Sequence, residues 1–136
     1  MSETTEPGSP RVGGTVLGST DPRRLWEWYR DVFAPGLTRD GAEDGGPVRH
    51  LRLGGTYVVF EARDDVGRKS VEPGRVLVNF EVTDIREMER RLDAQLNPRW
   101  IRPVETVDEH VLLGTLEDPD GNYVQLCDTT ADGTPA

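Results

Sequence analysis

The chain has 136 residues, which is enough for one domain that buries roughly two-thirds of its unfolded surface and too few for two independent domains. It carries 25 acidic and 16 basic residues, and the net charge of −9 repels nucleic-acid phosphates and anionic lipids. A binding cleft is therefore expected to favour neutral or cationic ligands. The one cysteine, Cys127, excludes an intrachain disulfide and a thiolate metal cage.

The two ends of the chain are predicted to be tails. Residues 1–10 are rich in Ser, Thr, Glu and Pro, which predicts disorder, and residues 129–136 are expected to be loose. Residues 1–10 contain no apolar signal-peptide core, and no segment approaches membrane-spanning length, so we expect a cytoplasmic protein. A single domain is expected over residues 11–128.

The first half of this domain, residues 11–63, predicts a strand, a helix and two further strands. Residues 11–19 are typical of a strand, and Asp21-Pro22 then supplies an N-cap and a proline at the first helical position. After a Gly-rich loop at 40–47, the segments 48–53 and 56–63 are predicted strands joined by a glycine turn. Apolar residues recur along the helix at helical spacing and predict packing against a sheet: Leu25, Trp28, Tyr29, Val32 and Phe33.

The second half, residues 75–128, follows a charged linker at 64–74 and repeats the same order. Asp84 and Glu87 predict a capping box at the start of a second helix. The expected elements are a strand at 76–82, a helix at 85–96 and strands at 100–107, 109–117 and 123–127. Placing Asp21 on Asp84 aligns the two halves, so both are expected to have the order β-α-β-β-β.

A distinctive turn at residues 118–122, Asp-Pro-Asp-Gly-Asn, joins the last two strands. Together with the residues that follow it, Tyr-Val-Gln-Leu, it resembles the closing hairpin of the vicinal oxygen chelate superfamily, which includes glyoxalases, bleomycin-resistance proteins and extradiol dioxygenases. The resemblance implies an α+β fold in which two tandem βαβββ modules form a curved mixed-sheet cup. It also implies a homodimer with the ligand cups near the subunit interface. One difference stands out: the metal-binding members have a glutamate where this chain has Gln125.

The resemblance places the family's metal ligands at four positions of this sequence: Gly14, Val59, Leu77 and Gln125. None is a competent ligand, because a divalent ion needs several His, Asp or Glu donors and an amide oxygen alone is too weak. We therefore predict no metal and no cofactor. A site rebuilt from Glu61, His50 and His110 is the alternative.

Strand alternation predicts which side chains enter the cup. Asn79 and Glu81 should lie beside Leu77, Tyr57 and Glu61 beside Val59, and Tyr123 beside Gln125. On the opposite faces, under the helices, we expect Phe60, Phe80, Val82, Val124 and Leu126. The candidate ligand-binding residues are His50, Arg52, Tyr57, Asn79, Trp100, His110, Tyr123 and Gln125.

Three functions follow from these residues. In the first, the protein sequesters a small aromatic or cationic molecule, as the metal-free bleomycin-resistance proteins of the superfamily do. Its acidity, its tryptophans and the missing ligands favour this function. In the second, a metal-independent enzyme of lyase or isomerase type uses buried Glu81 or Glu61 as a general base. The third is a metal-dependent glyoxalase-like or dioxygenase-like enzyme, which the four replaced ligand positions disfavour.

Overall fold

The computed structural model describes residues 8–37 and 48–130. Most of both predicted tails and the predicted loop at 40–47 lie outside these residues. The described elements, in chain order, are β1 (Thr15–Ser19), α1 (Pro22–Phe33), β2 (Val48–Leu53), β3 (Thr56–Ala62), β4 (Val78–Glu81), α2 (Ile85–Gln95), β5 (Arg99–Asp108), β6 (Val111–Glu117) and β7 (Tyr123–Asp128). No helix among them is long and apolar enough to cross a membrane.

Helix α1 begins where the sequence predicts. The Asp21 side chain accepts a hydrogen bond from the Arg24 amide at 3.2 Å, and Pro22 occupies the first helical position, where its missing amide costs nothing. The buried face includes Trp26, which the apolar spacing had not selected. Its indole N–H donates to the carbonyl of His50 at 2.9 Å and so ties the helix to β2.

Helix α2 is capped differently from the prediction. The backbone of Asp84 is left-handed, with φ of 53°, and its carboxylate receives only a long 3.4 Å bond from the Glu87 amide. Glu87 pairs with Arg90 instead of closing the capping box. The first helical amide, that of Ile85, donates at 2.9 Å to buried Asp128 at the end of β7.

The strands form two sheets of matching topology. Their orders are β1-β3-β2 and β4-β7-β6-β5, and in each the first strand runs parallel to the last strand of its module while the other pairs are antiparallel. The predicted duplication is therefore present. The described part of module one supplies three strands and module two supplies four.

Strand alternation is as predicted on both sheets. Phe60 is buried, whereas Tyr57, on the opposite face of β3, is 42% exposed. On β4, Phe80 is buried between exposed Asn79 and Glu81. Each sheet thus has one face on the core and one face away from the helices, which we call its open face.

The two modules contact each other through α1. Its Tyr29 ring lies 5.2 Å from the ring of Phe60 and 6.1 Å from that of Phe80, so it touches aromatic residues of both sheets. The Tyr29 hydroxyl donates to buried Asp118 at 2.7 Å. The turn beginning at Asp118 therefore holds the modules together as well as reversing the chain.

Candidate functional site

The open face of the second sheet carries a hydrogen-bonded pair of amides. Asn79 on β4 and Gln125 on β7 are direct neighbours in the parallel register, and the Gln125 Nε2 donates to the Asn79 Oδ1 at 2.9 Å. Thr115 on β6 is the partner of Gln125 on its other side. The three form a row of uncharged polar side chains across three strands, which we call the amide row.

The open face of the first sheet is aromatic, basic and apolar. The rings of His50 and Tyr57 lie 6.5 Å apart, and the Arg52 guanidinium lies 6.0 Å from the centroid of the Tyr57 ring. Val16 and Val59 are direct neighbours across β1 and β3, in the same relation as Asn79 and Gln125 in the second sheet. Val16 is 58% exposed.

A groove of about 840 Å³ separates the two modules along the outer edge of β4. It brings together three of the predicted residues, Tyr57, Asn79 and Glu81. Its apolar wall includes Phe33, whose ring stacks on that of Phe80 at 4.2 Å, and Met88 from α2. Sequence alone missed Phe33, because its place in the helical stripe indicated only core packing.

Arg91 of α2 also lines the groove, although no sequence pattern indicated this. Its guanidinium donates to the last carbonyls of α1, those of Asp31 at 2.9 Å and Val32 at 2.6 Å. Cations near a helix C-terminus interact favourably with the helix dipole. The Arg91 guanidinium is therefore occupied mainly by hydrogen bonds that join α2 to α1.

Seven predicted residues do not line this groove. His50, Arg52 and Gln125 lie on the open faces described above, and the other four lie elsewhere. Glu61 is paired with Arg63 at 3.0 Å and lines a separate shallow depression. The Tyr123 ring packs under the linker at Gly74. Trp100 lies on the helix side of its sheet, where its indole donates to Asp93 of α2 at 2.7 Å. His110 is an exposed residue in the turn between β5 and β6.

The residues at the family's ligand positions do not fit a metal ion. The register places Asn79 beside Gln125 and Val16 beside Val59, and the assigned positions Leu77 and Gly14 lie two residues before Asn79 and Val16. The quartet of Val16, Val59, Asn79 and Gln125 offers no carboxylate, imidazole or thiolate, and neither do Leu77 and Gly14. Within residues 8–37 and 48–130, no three His, Cys, Asp or Glu residues come close enough to hold a metal, so the alternative built on Glu61, His50 and His110 has no support.

A comparison with models of protein families shows which family this chain belongs to. The model of the glyoxalase-like domain matches residues 14–127, which is most of the chain. The chain belongs to the glyoxalase-like domain family. The predicted membership of the vicinal oxygen chelate superfamily is thereby confirmed. A search of curated proteins found no match.

Several solved structures share the fold of this chain. TioX from Micromonospora sp. ML1 is 22% identical, with a TM-score of 0.65, over 88% of this chain and 99% of TioX. Lactoylglutathione lyase from Agrobacterium tumefaciens is 19% identical, with a TM-score of 0.65, over 90% of this chain and 96% of the lyase. The fosfomycin resistance protein FosX from Mesorhizobium loti is 17% identical, with a TM-score of 0.63, over 93% and 98%. At these identities the likeness establishes the glyoxalase-like fold.

Proposed function

We propose that this glyoxalase-like protein is a metal-independent binding protein that sequesters a small aromatic or cationic molecule in the cytoplasm. The observation that carries the proposal is the groove beside β4, which joins an acidic side chain and aromatic side chains at one site. Ligand pockets in proteins typically combine an apolar lining with a few polar groups that fix orientation. The valine and amide quartet supports a function that needs no metal.

Glu81 is the groove's available charge. Its side chain makes no hydrogen bond or ion pair with any other described residue. It is exposed, so the burial predicted for Glu81 from the sequence is wrong. The other two acids of the groove already have partners. Asp84 accepts a hydrogen bond from the Glu87 amide, and the Glu87 carboxylate forms an ion pair with Arg90. A cation with an apolar body could place its charge at Glu81 and its body against Phe33 and Met88.

The test is a fluorescence titration with proflavine, a planar aromatic cation, before and after dialysis against EDTA. We expect saturable binding that EDTA leaves unchanged. Glu81→Gln should weaken it by about 1–3 kcal/mol, the range for loss of a charge-assisted contact. Glu109→Gln is the matched control, because it removes the same charge from an exposed turn outside the groove.

Two results would contradict the proposal. One is proflavine binding that disappears with EDTA and returns with a divalent metal. The other is an equal loss of affinity in Glu81→Gln and Glu109→Gln, since that would reflect only the overall charge of the protein.

A second function, catalysis with Glu81 as general base, has one observation in its favour. A free carboxylate at a groove is positioned to accept a proton, whereas Glu61 is occupied by Arg63. Incubation with a metabolite mixture, followed by mass spectrometry, would reveal depletion of a substrate. In this case Glu81→Gln should slow depletion by about two to four orders of magnitude while proflavine affinity stays nearly constant.

A further inference from the structure

We propose that the amide row of Asn79, Gln125 and Thr115 recognises a neutral carboxamide-type group, one that presents a hydrogen-bond donor beside an acceptor. Primary amides, lactams and ureido groups belong to this class. The inference rests on the proposed binding function and specifies the polar group of its ligand.

The first argument is a hydrogen-bond inventory. A side-chain amide has two donors and a carbonyl acceptor, and in the described residues the Asn79–Gln125 pair uses one donor and one acceptor between them. The Gln125 carbonyl oxygen and the Asn79 NH₂ are left for a ligand. If both amides were turned by 180°, the bond would reverse and the row would still offer one free carbonyl and one free NH₂. The free donor and acceptor therefore do not depend on how the amides are oriented.

Thr115 supplies the second, independent argument. The residue is only 6% exposed, and the register directs its side chain to the same face as Gln125. Its hydroxyl makes no hydrogen bond to any part of the chain that the structure describes. A buried polar group without a partner costs about 1–3 kcal/mol, so such groups usually have one. A ligand atom over the row would provide it.

The surrounding charges argue against an ionic ligand group on the row. On β5, the strand beyond Thr115, Arg102 is paired with Glu105 at 2.7 Å. Glu81 lies two residues from Asn79 on the same face of β4 and would repel an anion. A cation would satisfy the Gln125 carbonyl but would leave the donors of Asn79 unpaired. A group with both a donor and an acceptor satisfies both amides at once.

The test uses three probes that share one phenyl ring and differ in the head group: benzamide, benzoate and benzamidinium. Binding is followed by two-dimensional ¹H–¹⁵N NMR, including the side-chain NH₂ signals of Asn79 and Gln125. We expect benzamide to shift both NH₂ signals and to bind at least about tenfold more tightly than either ion. Thr115→Val should weaken benzamide about fivefold or more.

Gln125→Glu is the decisive variant, since it replaces the amide whose carbonyl is left for the ligand with a carboxylate. It should weaken benzamide about tenfold and make benzamidinium the best of the three probes. Gln95→Glu, an exposed change of the same kind at the end of α2, is the control and should leave the order of probes unchanged.

Equal affinity for the three probes, or an order that Gln125→Glu leaves unchanged, would overturn the assignment. Proflavine separates this failure from that of the proposed function. If proflavine still binds through Glu81, only the carboxamide assignment is wrong. If neither proflavine nor any phenyl probe binds, the proposed function and the assignment fail together.

Discussion

Asp118 connects the last turn of module two to helix α1 of module one through its hydrogen bond with Tyr29. One carboxylate oxygen accepts hydrogen bonds from the backbone amides of Asp120 and Asn122. The other accepts hydrogen bonds from the Asn122 side chain and the Tyr29 hydroxyl. Burial raises the pKa of Asp118 above its ordinary value, while these hydrogen bonds act in the opposite direction. Burial, and then the nearby Asp118 charge, raises the pKa of Tyr29 well above its ordinary value, so Tyr29 stays a hydrogen-bond donor.

This pair predicts a pH-dependent mutational effect. Because the pKa of Asp118 is raised in the folded state, its contribution to stability is full below the unfolded pKa and falls as pH rises through the folded value. The Tyr29 hydroxyl bond opposes this loss by stabilising the charged form. Tyr29→Phe should therefore cost about 1.5–3 kcal/mol at pH 7, as for a hydrogen bond to a charged group, and about 0.5–1.5 kcal/mol once Asp118 is protonated.

Urea unfolding at pH 7 and near pH 3.5 measures the two penalties. Tyr57→Phe is the matched control, because it removes a phenol hydroxyl that is partly exposed and bonds no described residue. A Tyr29→Phe penalty that is the same at both pH values would show that the charged form of Asp118 is not what the hydroxyl stabilises.

At the scale of elements, α2 depends on a residue from another element. Asp128, fully buried at the end of β7, accepts the Ile85 amide, and its other oxygen accepts the Thr130 amide at 2.8 Å. A helix N-terminus leaves amides that need partners, and an acidic group there also interacts favourably with the helix dipole. The helix is thus positioned on its sheet by the strand beneath it.

We predict that Asp128→Ala destabilises the protein by about 1–3 kcal/mol, because it leaves a buried amide without an acceptor. Asp84→Ala should cost less than about 1 kcal/mol, although Asp84 is the N-cap residue in the sequence, because its capping bond is long. Chemical unfolding of both variants measures the difference. The opposite order would mean that the local cap, and not Asp128, stabilises α2.

At the scale of the whole molecule, four strand edges have no partner among the described residues, those of β1, β2, β4 and β5, and two of them belong to the first strands of the two modules. β1 ends one sheet and β4 ends the other, and each pairs on one side only. Exposed strand edges tend to pair with other chains. A twofold dimer could satisfy both edges, because β1 of one copy would meet β4 of the other and the reverse. The groove, and the end of the amide row at Asn79 on β4, would then lie near the interface.

We predict a homodimer of twice 15.1 kDa, measured by multi-angle light scattering at micromolar concentration. Binding of proflavine should follow the dimer population on dilution if the partner helps to close the groove. A monomeric mass at these concentrations would contradict the prediction.

The sequence by itself determined the features that depend on short spacings. Helix starts at Pro22 and Ile85 follow from the residues before them, and the period of two along β4 already separated Phe80 from Asn79 and Glu81. The turn after β6 indicated the family, which the family model confirms. These features could be predicted because each is encoded within a few neighbouring residues.

Only the tertiary structure decided which strands and side chains meet. Alternation along the chain predicted that Asn79 and Gln125 face the cup, but only the ladder between β4 and β7 shows that they are direct neighbours. The tertiary structure also turns Trp100 toward α2, away from the open face. It brings Tyr29 into contact with Asp118, which lies 89 residues further along the sequence. These contacts depend on the register between distant strands and on the packing of one module against the other. Both are fixed by the burial and hydrogen bonding of the whole fold, which no local pattern encodes.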